Sequence, residues 1–123
     1  MVTHVMNGYP HMACGMLGSK DGRVIKHYPV TNAAQNPRVW ASVSESDLVR
    51  FYSDVDEYDG DAAFYMSEPM GEAYLSQETI KWAQGSGIPY VIFSLKQYPE
   101  RPSCRLFTVD SAGRVTEGKL ELI

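Results

Sequence analysis

Residues 66–79 read Met66-Ser67-Glu68-Pro69-Met70-Gly71-Glu72-Ala73-Tyr74-Leu75-Ser76-Gln77-Glu78-Thr79. Just before them stands a short apolar run, Ala62-Ala63-Phe64-Tyr65-Met66. A run of that length suits a central strand buried on both faces of a sheet. A Ser-x-Pro turn follows at Ser67–Pro69. Ser76 then caps a helix that reaches about Gln84, with Ile80, Trp82 and Ala83 turned inward, and Gly85-Ser86-Gly87 and Pro89 stop it.

Working outward, Tyr90-Val91-Ile92-Phe93-Ser94-Leu95 carries the strongest β signal in the chain, because β-branched and aromatic residues suit a pleated, packed surface. Arg105 to Val109 and Arg114 to Leu122 alternate around Ser111-Ala112-Gly113, which predicts a hairpin. In the other direction, Ser44 with Asp47 three residues on forms a capping pair. Leu48, Phe51, Tyr52 and Val55 recur behind it at helical spacing, so residues 45–56 are expected to be an amphipathic helix ended by Asp59-Gly60-Asp61. Arg38 to Val43 reads as a short strand after a loop at 32–37, with Trp40 and Trp82 as packing anchors. Met12 to Leu17 and Arg23 to Val30 are two strands joined at Asp21-Gly22, a pair that tolerates the positive φ of a tight primed turn. Residues 1–7 predict a short helix that ends at Asn7-Gly8, with Gly8 as a left-handed cap and Pro10 preventing continuation. The order gives one α+β domain over residues 1–123, with one mixed central sheet and two main helices.

The 123 residues, 44% apolar, are enough for one real core, and 21% charged residues without a low-complexity run argue against disorder. A net charge of −4 argues against nucleic-acid binding, which needs clustered Lys and Arg. Lys20, Arg23 and Lys26 are instead spread along the hairpin. No apolar stretch is long enough to cross a bilayer and no signal-peptide pattern opens the chain, so a cytoplasmic location is expected. Cys14 and Cys104 stand far apart, which fits reduced, buried thiols.

The quoted stretch resembles the zinc signature of the JAB/MPN (JAMM) isopeptidases, in which His-Ser-His-Pro is followed by an Ala and then Ser-x-x-Asp. Ser67, Pro69, Ala73 and Ser76 keep their places, while Met66, Glu68 and Thr79 stand where the three zinc ligands would be. The resemblance runs on. Pro10-His11-Met12-Ala13-Cys14-Gly15-Met16-Leu17 resembles the family's Pro-x-Glu-Ala-Cys-Gly-Leu-Leu block, with Met12 in place of the catalytic Glu. Asp21-Gly22-Arg23-Val24, Pro29-Val30-x-Asn32, the Ser44–Asp47 helix start and Tyr90 to Leu95 follow in the family's order. Nearly the whole chain is covered. The departure is a shortened N-terminal helix. The resemblance implies a JAB/MPN-like (cytidine-deaminase-like) fold from which four of five chemically active residues are lost, leaving Ser76, which in active relatives helps to stabilise the oxyanion.

Zinc of this kind needs three nitrogen or oxygen ligands and an open position for water. Thioethers and neutral hydroxyls are poor zinc donors, and Met favours softer ions such as Cu(I). No metal ligands and no cofactor are therefore expected. A rewired site of Glu68 with His11, Glu72 or Glu78, and a Cu(I) site of Met12, Met16, Met66 and Met70, are the weaker alternatives, since Met among small strand residues fills core gaps. Cys14 has no His beside it in sequence, which favours a core role. His4, His11 and His27 lie outside any ligand spacing and read as surface or hydrogen-bonded residues.

Three functions follow. The first is a non-catalytic JAB/MPN pseudoenzyme that binds or scaffolds a partner through a groove of Met12, Met66, Ser67, Glu68, Ser76 and Thr79. The resemblance implies partners such as the tail of a ubiquitin-like or sulfur-carrier protein, or an active paralogue, as a homodimer or heterodimer. An extended tail can dock by strand addition, which needs no metal. The second is a metal-independent enzyme using Glu68 and Ser76, a carboxyl in a partly apolar groove having a raised pKa that suits proton transfer. The third is a weakly active metallo-isopeptidase with unusual ligands.

Overall fold

The computed structural model describes residues 1–34, 43–85, 87–100 and 102–118. Its elements run α1 (Val2–Gly8), β1 (Cys14–Lys20), β2 (Arg23–Val30), α2 (Glu45–Glu57), β3 (Asp61–Glu68), α3 (Gln77–Ala83), β4 (Tyr90–Ser94), β5 (Ser103–Val109) and β6 (Val115–Gly118). The strands form one six-stranded sheet in the order β2-β1-β3-β4-β5-β6. β3 and β4 pair in parallel, with α3 in the crossover between them, and the neighbouring pairs are antiparallel. The architecture is thus α+β with a mixed sheet and three described helices. No helix among the described residues is long and apolar enough to cross a membrane.

The period-2 alternation of strand side chains divides the core in two. Leu17, Ala63, Tyr65, Val91, Phe93 and Leu95 face α1, where Val5 is fully buried. On the opposite face, Met16 packs with Phe51 and Val55 of α2, and Tyr90, Ile92 and Phe107 pack with Ala83 of α3. β3 and β4 lie centrally and are covered on both faces, as an unbroken apolar run predicts. β2, at the edge, is largely exposed.

Local signals carried the expected structure where the chain alone decides it. Ser44 Oγ accepts from Asp47 N at 3.3 Å and opens α2. Asp21 and Gly22 both take positive φ, 54° and 79°, in the β1–β2 turn. Gly113, at φ 84°, closes the β5–β6 turn, where Asp110 Oδ1 accepts from Ala112 N and Arg114 N at 2.9 Å.

Other expectations are corrected. Trp82 does not turn inward: it is 73% exposed while Ala83 is fully buried. Successive helical residues are about 100° apart, so Ile80 and Ala83 take the sheet side and leave Trp82 outside. Gly8 is not a left-handed cap but the last residue of α1; the chain leaves through Tyr9 and a cis Tyr9–Pro10 bond. Gly8 instead permits close approach, since a Cβ there would sit 3.1 Å from the Ala13 Cβ. β1 begins at Cys14 rather than Met12. The strand expected at 38–43, Trp40 and the chain after Gly118 lie outside the described residues.

Candidate functional site

The candidate site lies where β3 meets the start of α3, with β1 paired alongside β3. Cys14 pairs with Met66, and the ladder is continued by two hydrogen bonds between Ala13 and Ser67: Ser67 N donates to Ala13 O at 2.9 Å, and Ala13 N donates to Ser67 Oγ at 2.8 Å. By strand alternation Phe64, Met66 and Glu68 share the face that carries α3.

α3 brings the other half. Ser76 Oγ accepts from Thr79 N at 3.2 Å, satisfying a backbone donor that the first helical turn leaves open. The Ser76 and Thr79 hydroxyls are 3.0 Å apart, and Thr79 Oγ1 lies 4.0 Å from Met66 Sδ. The loop between β3 and α3 is fastened to the end of β4. Leu95 N donates to Glu68 O at 3.0 Å, Ser94 Oγ donates to Gly71 O at 2.6 Å, and Lys96 pairs with Glu72 at 2.9 Å.

Three of the six expected groove residues are joined by direct contacts, Thr79 to Met66 and Thr79 to Ser76. Ser67 is directed elsewhere. It is fully buried, its side chain is committed to the Ala13 amide on the other face, and it shapes the groove without lining it. Met12 is 5% exposed, a buried residue whose carbonyl accepts from Asn32 Nδ2 at 2.8 Å. Ser94, which holds the loop, was not singled out in the sequence; its only local signal is a hydroxyl at the end of an otherwise apolar strand.

Glu68 is half-buried, and desolvation raises its pKa above the ordinary carboxylate range. Among the described residues its carboxylate meets no donor. Cys14, which pairs with Met66, has its thiol pushed up to about 11, chiefly by burial and secondarily by Asp47, so it stays protonated and makes a poor nucleophile.

The zinc that the sequence resemblance implies does not fit this donor set. Met66 offers a thioether and Thr79 a neutral hydroxyl already engaged with Ser76, which leaves Glu68 as the one anionic oxygen donor of the three ligand positions. Among the described residues no three His, Cys, Asp or Glu side chains are grouped to hold a metal. His4 and His27 lie across the sheet instead, both against the Tyr65 hydroxyl.

No protein-family model matches the chain, and no curated protein matches it. Among solved structures, the protein DSY2949 of Desulfitobacterium hafniense is similar, with 28% identity over 97% of this chain and 83% of that one and a TM-score of 0.79. A protein of Salinibacter ruber strain DSM 13855 is similar at 21% identity, covering 97% of this chain and 82% of its own, with a TM-score of 0.60, a likeness of fold alone.

Proposed function

We propose that the protein is a non-catalytic, JAB/MPN-like domain that binds the extended tail of a protein partner in the groove between β1, β3 and α3. The observation that carries this is the contrast at the site. The Ala13–Ser67 hydrogen bond and the Ser76 cap are formed, while Met66 Sδ and Thr79 Oγ1 lie 4.0 Å apart at positions that the resemblance assigns to zinc ligands. Because β1 and β3 are each paired on both sides, a tail at this site would be held by side-chain contacts over the sheet face. Within this proposal the partner is a ubiquitin-like or sulfur-carrier tail, or an active paralogue, in the cytoplasm.

Rebuilding the ligands tests the frame. The variant carrying Met12→Glu, Met66→His, Glu68→His and Thr79→Asp is expected to bind one zinc per chain, and the unsubstituted chain to bind none stoichiometrically. A folded variant that takes up no zinc would count against the proposal.

One observation favours a second function. The raised pKa of the half-buried Glu68 suits proton transfer without a metal. Loss of a turnover in folded Glu68→Gln would establish it.

A further inference from the structure

Two histidines from different elements converge on one buried hydroxyl. His4 Nδ1, from α1, is 2.5 Å from Tyr65 Oη, and His27 Nε2, from the edge strand β2, is 2.6 Å from the same oxygen. Tyr65 is fully buried in β3. It reaches both partners because β1, which lies between β2 and β3, presents Gly15 beneath its ring. The two imidazole centroids are 6.2 Å apart. From this geometry we infer that His4, Tyr65 and His27 form a proton-operated latch that holds α1 on the sheet at neutral pH and releases it on acidification.

The hydroxyl has one proton to give. With both imidazoles neutral, Tyr65 donates to one ring nitrogen and accepts an N–H from the other, and every group is satisfied. With both protonated, two N–H donors meet one oxygen and the phenol proton loses its acceptor. Two like charges then face each other in a partly desolvated place. The groups that act on the cluster are the Met1 ammonium just before α1, the Cys14 thiol of β1 and His4 on His27; from β4 the apolar Phe93 ring packs against Tyr65. None of these stabilises an imidazolium. Desolvation first, and the ammonium second, lower the pKa of both histidines below their ordinary 6.5. A form with α1 undocked returns His4 to water and takes up protons more readily. Docking is therefore intact above pH 6.5 and weakens as pH falls through the lowered values. This inference does not depend on the proposed function.

Hydrogen exchange on the whole chain tests it, at about pH 7.5 and about pH 5, with intrinsic rates corrected. Protection of Val2–Gly8 is expected to fall severalfold on acidification while that of α2 holds, and the double variant His4→Gln, His27→Gln to lose this dependence. Equal protection of α1 at both values, or an unchanged dependence in the double variant, would overturn the latch. Should the variant fail to fold, ring titration of both histidines in the unsubstituted chain decides. Midpoints below the ordinary value support the latch, and a midpoint at or above it for either histidine overturns it.

Discussion

The Tyr65 ring lies against Gly15, its antiparallel partner in β1, so closely that a Cβ on Gly15 would overlap the ring. The glycine is thus a gap in β1 through which a side chain of β3 reaches β2. Tyr65 is at once a core residue and the anchor for His4 and His27. Gly18 plays the corresponding part on the other face, where a Cβ would strike the Tyr58 hydroxyl.

Gly15→Ala is expected to destabilise the protein by about 1–3 kcal/mol, the usual cost of forcing extra volume into a packed core. Urea unfolding would show a lower midpoint at unchanged slope, and the histidine ring signals would move as Tyr65 is displaced.

Ser67→Ala removes the acceptor of the buried Ala13 amide without changing the volume of the core much. Leaving that donor unpaired costs about 1–3 kcal/mol. Ser67→Thr is the informative companion: it keeps the oxygen, so a drop in stability there would report crowding, while equal loss in both variants would count against the hydrogen bond.

Glu68→Gln is expected to stabilise the fold near neutral pH. The carboxyl of Glu68 is raised above its ordinary 4.5 by desolvation, so the folded state resists ionisation that the unfolded chain accepts. Below pH 4.5 both states are protonated and the two proteins should match. The advantage of the variant opens as pH rises above that value and levels off above the raised one. Parallel denaturation curves across this range check it, and a constant difference at every pH would contradict the desolvated carboxyl.

Trp82→Gln should leave stability within about 0.5 kcal/mol, because the indole is 73% exposed on the outer side of α3. Ala83→Leu, one residue along and fully buried, should lower it clearly. Thermal unfolding of the two variants side by side separates the faces of the helix.

Features that a few neighbouring residues decide were legible in the sequence. The Ser44 cap, the Asp21-Gly22 turn and the Ser76 cap each need only residues within one turn of themselves. The face of α3 that packs was not, because Trp82 and Ala83 differ by one position and only the location of the sheet chooses between them. The groove was legible in part: Met66 and Thr79 are close in sequence, but Ser67 turns its side chain to the far face because the strand's pleat, not composition, sets direction. The histidine pair was illegible altogether. His4 and Tyr65 are 61 residues apart, and no local pattern marks them as neighbours.

The Ala13–Ser67 pair joins residues 54 apart in the chain. The β1–β2 hairpin closes over a two-residue turn, whereas pairing β1 with β3 closes a loop that contains β2 and α2. Loop closure of that span is slow compared with local turns. The site, built from both strands and from the start of α3, therefore rests on contacts between segments distant in sequence, whereas the hairpin beside it is a local structure.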